Sequence, residues 1–405
     1  MPTSGPPRRS RREQLARIAA ELFAQKGFHN VSVNDIAAAA GVSGPAIYRH
    51  FRSKQAILVH LLCEGLEETA ELVERSLGDR AALQGTPSQQ RLAQVYAQLA
   101  AFVVRHPDFG VLWRREGRYL SAEERVGVAD ASARGAIPLV RELHLLRPEL
   151  PEPDAELLTW AALSVFGSIS DHRVRPPQAE LERLLTAIAV DLPAADLPVP
   201  GEAEGPIRTA PSTTEPPGLD TRRKQLLAVA ARLFRERGYH AVTVEDIGAA
   251  AGIAGPSIYS HIGGKMELLQ AAANRIGERL DEAVELVRAA DLPPRAALEL
   301  SVGSYVDVVI GHRDLVAAYF REGHNLPDRD RTEVRRWQRA YTGFWAELVA
   351  AASPDQPTKE TRIRVHAAFA VVNDLAQTGR FMARPRLAQD LRALMMRTVL
   401  AADPP

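Results

Sequence analysis

Few side chains in this 405-residue chain are placed to do covalent chemistry. The single cysteine, Cys63, falls inside an amphipathic helical run without an evident His partner. It reads as packing rather than as a nucleophile, and alone it can form neither an internal disulfide nor a thiolate cluster. His60 and Glu64 stand one helical turn apart, but two ligands make no metal site. Gly263-Gly-Lys265 tempts as a phosphate loop, yet the first glycine of G-x4-G-K would fall on Tyr259, and Met266 stands where Ser or Thr is needed. No H-E-x-x-H, C-x-x-C or G-x-S-x-G occurs, and the eleven histidines are scattered. The expectation is a protein that is not an enzyme and holds no metal or cofactor. What remains is charge: Arg8-Arg9-Ser-Arg11-Arg12 near the N-terminus, and a shorter Arg222-Arg223-Lys224 midway.

Lys+Arg and Asp+Glu balance at 50 each, so overall charge selects no nucleic-acid, membrane or acidic partner. A content of 46% hydrophobic and 25% charged residues is that of a folded globular chain and excludes a disordered or collagen-like one. The length suits two domains of about 200 residues better than one core. No run of eighteen apolar residues and no secretory leader pattern is seen, which points to the cytoplasm as the compartment.

The elements that carry these residues occur twice. Residues 12–58 align without a gap to residues 223–269, and about half the aligned positions are identical. A weaker echo pairs 106–120 with 312–326, both holding Arg-Glu-Gly. Between the copies, residues 191–220 carry seven prolines without apolar periodicity and read as a linker. Elsewhere the spacing is helical. Leu15, Ile18, Ala19, Leu22 and Phe23 fall on one face, as do Leu226, Val229, Ala230, Leu233 and Phe234. Longer amphipathic runs cover about 53–77, 88–105, 121–147, 154–171 and 177–191, with counterparts at about 264–290, 294–311, 328–352, 358–379 and 386–401. With no strand-like alternation, the fold class is all-α, in two tandem units.

Each copy opens with the same local grammar. Gly27 and Gly238 stop the first helix. Ser32 with Asp35, and Thr243 with Asp246, form a capping box for a short second helix. Gly41 and Gly252 end that helix. Ser43-Gly44-Pro45 starts a third, with proline near its first turn. Two short helices joined by a glycine turn make a helix-turn-helix.

These residues resemble the TetR-type bacterial transcription regulators. The likeness rests on Leu22, Phe23, Gly27, Phe28, Ser32, Val33, Asp35, Ile36, Ala37, Ala40, Gly41, Val42, Ser43, Ile47, Tyr48, His50, Phe51, Ser53 and Lys54, and it recurs in the second copy. The whole chain is similar to tandem TetR regulators of actinobacteria, including repressors of lipid-uptake (mammalian-cell-entry) operons. The resemblance implies an N-terminal DNA-binding domain in each half (1–52 and 221–263) and a helical regulatory and dimerisation domain after it (53–190 and 264–401), joined by 191–220. It implies double-stranded operator DNA as partner, with Ser43, Gly44, Pro45, Ala46 and Tyr48 in the major groove, Arg49 either on a base, on phosphate or solvated, and Tyr48, His50 and Lys54 on backbone phosphate. Their counterparts are Ala254, Gly255, Pro256, Ser257, Tyr259, Ser260, His261 and Lys265. Arg8, Arg9, Arg11 and Arg12 then form either a DNA-binding arm or a solubilising tail, with Arg222 and Arg223 a shorter equivalent.

The copies differ where it matters. Ser43 becomes Ala254, losing an N-cap hydroxyl. Arg49 to Ser53 becomes Ser260 to Gly264, losing two arginines and an aromatic. Residues 1–58 hold nine Lys/Arg against three Asp/Glu, a net +6, and residues 219–269 hold seven against five, a net +2. Affinity follows the phosphates neutralised, so the first copy should bind DNA more strongly. If residues 154–191 and 358–401 pack as an internal bundle, one chain mimics a dimer and reads an asymmetric operator; otherwise the chain forms a homodimer. The competing reading is a ligand-binding or partner-sequestering protein with degenerate readers.

The resemblance also implies a small apolar ligand, fatty-acyl or steroid-derived. Trp113, Tyr119, Trp160 and Phe166 in the first half, and Phe320, Trp337, Tyr341, Phe344 and Trp345 in the second, either line a cavity or fill a core. Arg115-Glu116 and Arg321-Glu322, with His324 nearby, either orient a polar ligand head or pair helices structurally. The second half is richer in aromatics, so the ligand is expected there first.

Overall fold

The structure, a computed structural model, describes residues 10–78, 85–172, 174, 176–198, 221–253 and 255–400. Arg8, Arg9, Ala254 and most of the expected linker lie outside the described residues. All regular structure among the described residues is helical, in two tandem units.

The first unit begins with α1 (Arg11–Lys26), α2 (Val33–Ala39), α3 (Gly44–Tyr48) and α4 (Lys54–Leu77). A capping box starts α1, where the Ser10 hydroxyl accepts from the Glu13 N–H and the Glu13 carboxylate accepts from the Ser10 N–H. Leu15, Ala16, Ala19, Ala20 and Phe23 form its buried stripe. The expected boxes on the second helices form as well: Asp35 N–H donates to Ser32 Oγ at 3.1 Å, and Asp246 N–H to Thr243 Oγ1 at 3.0 Å. Ser43 does stand at the N-cap of α3, but its hydroxyl makes no cap bond, so the exchange to Ala254 costs none.

The unit continues through α5 (Ser88–Arg105), α6 (Pro107–Val111), α7 (Ala122–Leu146), α8 (Glu152–Gly167) and α9 (Gln178–Asp191). Between α6 and α7 the chain widens into a π-turn, Leu112–Glu116, then tightens into a 3₁₀ turn, Gly117–Tyr119. The second unit has α10 (Thr221–Arg237), α11 (Val244–Ala250), a 3₁₀ turn Gly255–Ser260 in place of α3, and α12 (Lys265–Ala289). It is completed by α13 (Pro294–Gly311), α14 (Arg313–Glu322), α15 (Asp328–Ala352), α16 (Thr358–Gln377), α17 (Gly379–Met382) and α18 (Leu387–Val399).

The units meet through α8, α9, α16 and α18, which pack side by side as an internal four-helix bundle. Helices α8 and α16 are buried on nearly every face, as expected of helices sandwiched between others. Ala161, Ala162, Ala367 and Ala368 are fully buried and permit close approach. Ion pairs clamp the seam: Asp154 accepts from Arg384 at 2.6 Å and Arg386 at 2.9 Å, and Asp191 from Arg397 at 2.8 Å. The linker expectation began too early. Leu192 and Ala195 are buried, and Arg147 donates to the carbonyls of Pro193 and Ala195, so 191–198 belongs to the packed body.

The apolar cores are not equivalent. The second helix-turn-helix, from Leu226 to Ile276, is continuous with a core that runs through both helical domains. The first has a core of its own, from Leu15 to Leu66, closed by Leu112, Leu120, Val128 and Ala131.

Candidate nucleic-acid interface and ligand cavity

On the first reader, Ile47 and Phe51 anchor α3 from beneath and Tyr48 is 56% exposed, so the ring faces outward rather than into the core. Ser43, Pro45 and Arg49 are exposed, and Gly44, Ala46 and His50 are half-buried. Arg11 and Arg12 open α1 at the same surface. Arg12 lies 4.9 Å over the Phe51 ring, and Arg11 donates to Gln14 and to the Ala40 carbonyl.

The second reader is quieter. Tyr259 is equally exposed, but its hydroxyl donates to Glu245 at 2.9 Å, where the first copy has Asn34. Arg223 pairs with Glu267, which also accepts the Gly263 N–H at 2.7 Å; the first copy has Ala56 there. Arg222 donates to Gln225. Ser257 and Ser260 are exposed, the latter bonded back to the Ser257 carbonyl, and His261 is half-buried. Gly255 and Pro256 lie in the 3₁₀ turn.

Lys54 departs from the phosphate role expected of it. Its Nζ donates to the carbonyls of Phe28 and Val31, each at 2.7 Å, and sits 4.4 Å over the Phe28 ring. Burial pushes its pKa down, while Glu116 and Asp35 push it back up. Lys265 repeats the arrangement on the carbonyls of Tyr239 and Val242, both at 2.9 Å. Both cations turn inward because the loop after the first helix leaves carbonyls with no helical partner. They staple that loop to the fourth helix.

Those loops also form a junction between the halves. The His29 and His240 rings lie 4.7 Å apart, and Asn325 bonds to both Asn30 and His240. A Cβ on Gly27, at φ +85°, would meet the His324 ring of the other half at 2.5 Å. One on Gly238, at φ +82°, would meet Tyr119 at 2.7 Å. Glycine is required at both for conformation and for space. Tyr119 is therefore a cross-half wedge and not a cavity wall.

The glutamates of the repeated Arg-Glu motif are struts between domains. Glu116 is fully buried, accepts from Arg115 at 3.0 Å and faces the Phe28 N–H at 3.4 Å. Arg115 also donates to the carbonyls of Phe23 and Ala24, where α1 ends. Glu322, equally buried, accepts from the Tyr239 N–H at 3.0 Å and from Asn325 at 2.9 Å.

A cavity of about 1660 Å³ opens in the first half and reaches the second. Trp113, Arg115, Trp160 and Phe166 line it from one side, and Phe320, Arg321 and His324 from the other. The second half, where the ligand is expected first, supplies one wall of the cavity and the first half the other. Helices α7 and α15 match residue for residue, and Ala131, Gly135 and Leu139 of α7 stand where α15 has Trp337, Tyr341 and Trp345. The large rings fill their half. Trp337 stacks on Tyr341 at 5.1 Å and donates to Asp281, Trp345 packs on Phe369 at 5.4 Å, and Phe344 lies under Arg288. The small residues leave theirs open.

The sequence reading missed Arg114. It lines the cavity and pairs with Asp171 at 2.5 Å and with Asp374 of the other half at 2.8 Å. Burial opposes its charge, but the two carboxylates outweigh that and raise its pKa. No local signal marks it, because its partners lie 57 and 260 residues away. Among the described residues no group of His, Cys, Asp and Glu could hold a metal, and no helix is long and apolar enough to cross a membrane.

Two exposed helix-turn-helix units on a shared helical body define a DNA-binding transcription regulator. Residues 17–61 and 226–272 match the family of bacterial regulatory proteins called tetR, and residues 291–379 match a tetracyclin repressor-like C-terminal domain. The chain is 30% identical over 169 residues to the HTH-type transcriptional repressor KstR2 of Rhodococcus jostii, covering 42% of this chain and 82% of that relative. It is 33% identical over 90 residues to the HTH-type transcriptional activator FasR of Mycolicibacterium smegmatis, covering 22% and 41%. The solved structure of the ketosteroid regulator KstR2 of Mycobacterium tuberculosis superimposes with a TM-score of 0.39 at 22% identity, covering 43% of this chain and 91% of that one. The chain belongs to the tetR family.

Proposed function

We propose that the chain represses transcription from an asymmetric operator, whose dissimilar half-sites are read by its two non-identical units, and that a small apolar ligand in the cavity releases it. The observation that carries this is the π-turn Leu112–Glu116. Its Trp113, Arg114 and Arg115 line the cavity while Glu116 holds the loop that follows α1. π-Turns are rare and recur at functional sites. A ligand that favours a different setting of this turn would tilt the first reader, and a release requires only that it bind that state better. The separate core of the first reader suits such motion, and the shared core of the second makes it the fixed partner. Release then follows when the readers no longer match half-sites about 34–36 Å apart or a multiple of that.

The assigned units are 1–52 and 221–263 for DNA and 53–190 and 264–401 for regulation, acting in the cytoplasm on nucleoid DNA. Major-groove contacts fall to Tyr48, Arg49 and Ala46, with Arg11 and Arg12 on phosphate. A second reading, in which only the first unit reads DNA, draws on the Arg223–Glu267 and Tyr259–Glu245 pairs that spend the other unit's polar groups internally. Selection of genomic fragments by the purified protein at fixed salt separates the two. A non-palindromic site is expected; a perfect palindrome favours two chains each using the first reader, and no enrichment with ligand binding intact favours a sequestering protein.

A further inference from the structure

We infer that an ion pair pins the second reader to its regulatory domain while the first is left free to tilt, and that the exchange of Arg232 and Arg235 for Glu21 and Ala24 decides which reader moves. This rests on the release reading above and names the positioning residues behind it. The repeat makes the comparison direct. Helix α6 packs on α1 and α14 packs on α10, and the two contacts present the same carboxylate, Asp108 or Asp314, in the first helical turn.

In the second half Arg235, in the last turn of α10, donates through Nε to Asp314 at 2.5 Å, and both side chains are half-buried. Arg232 lies one turn earlier on the same face. The pair bridges reader and regulatory domain, so a tilt of the reader must separate opposite charges. In the first half the carboxylate remains and the cations are gone. Ala24 stands at the position of Arg235, and Glu21 at that of Arg232. Glu21 is held by Arg17 at 2.8 Å, within α1 itself. Asp108 pairs with no cation among the described residues, and burial, with Glu21 nearby, pushes its carboxyl above the ordinary range. Attraction across one contact is replaced by repulsion across the other.

Helix and core agree with the charges. Helix α14 runs unbroken from Arg313 to Glu322. Its counterpart opens with Pro107, has Gly110 where α14 has Val316, and gives way after Val111 to the π-turn. Glycine weakens a helix interior. The second reader shares its core with the helical domains, and the first does not.

The test uses the full-length protein in a C63S background with pairs of spin labels, read as the width of the distance distribution by pulsed electron paramagnetic resonance. S43C/R183C reports the first reader against the seam helix α9, and S257C/R183C the second; all three positions are exposed. The first pair should be at least twice as wide as the second. A24R should narrow it, while A24R/D108N, which offers the arginine no carboxylate, should leave it wide. R235A should widen the second pair, and R235K, which keeps the charge, should not, with circular dichroism confirming the fold of each. Equal widths in the parent protein, or a width that ignores either A24R or R235A, overturns the inference. The distances need neither DNA nor ligand, so that failure leaves the repressor reading standing, whereas a failed operator selection sinks that reading with the widths unchanged.

Discussion

Arg12 and Arg223 occupy matched positions in the repeat, yet their surroundings differ. Arg12 rests on the Phe51 ring, whereas Arg223 is paired with Glu267. Lys54 differs from both, because its charge is spent on loop carbonyls. Salt-dependent binding to the selected site therefore sorts the three. Arg12→Ala should lower affinity for all sequences and reduce the salt slope by about one, as expected when one phosphate contact is lost. Arg223→Ala should change the slope by much less. Lys54→Ala should leave the slope near its original value and lower the unfolding midpoint instead, since charged hydrogen bonds of this kind contribute about 1.5–3 kcal/mol each. A Lys54 variant with full stability and a reduced slope would restore the phosphate role.

At the scale of elements, the two 25-residue helices α7 and α15 explain where the cavity lies. Copying the second half's bulk into the first at a position outside the reader's core, as G135Y, should fill the space and abolish ligand binding and release while operator affinity stays within about threefold. Fluorescence titration and a DNA-binding assay on the same protein check both parts, and a variant that still responds to ligand would place the binding site elsewhere. Most helices were legible beforehand, because apolar periodicity, capping boxes and glycine stops agree with one another along each segment. The π-turn at Leu112–Glu116 and the 3₁₀ turn at Gly255–Ser260 were not, since both depend on packing rather than on local pattern. Counting aromatics favoured the second half, whereas the cavity is lined from both. Aromatic rings fill space, and the informative signal was their replacement by Ala131 and Gly135 at equivalent positions. The struts at Glu116 and Glu322 were visible as repeated pairs, but their partners at the end of the first helices needed the fold.

At the scale of the molecule, duplication has let two ordinarily identical halves diverge around a fixed seam. The seam itself is conservative in chemistry: buried alanines and valines, closed at its ends by Asp154 and Asp191 with arginines of the opposite half. The divergence lies outside it, with a more charged reader and small cavity-lining residues on α7 in one half, and a less charged reader and large packed rings on α15 in the other. Cross-half wedges at Gly27 and Gly238 tie each reader to the regulatory domain of its neighbour. Such a molecule has no need of a second copy to present two readers. The most direct test of that claim is the mass of the protein–DNA complex on its selected site, measured by sedimentation equilibrium at fixed salt. The account predicts one 44.2 kDa chain per operator. Two chains per operator would contradict it.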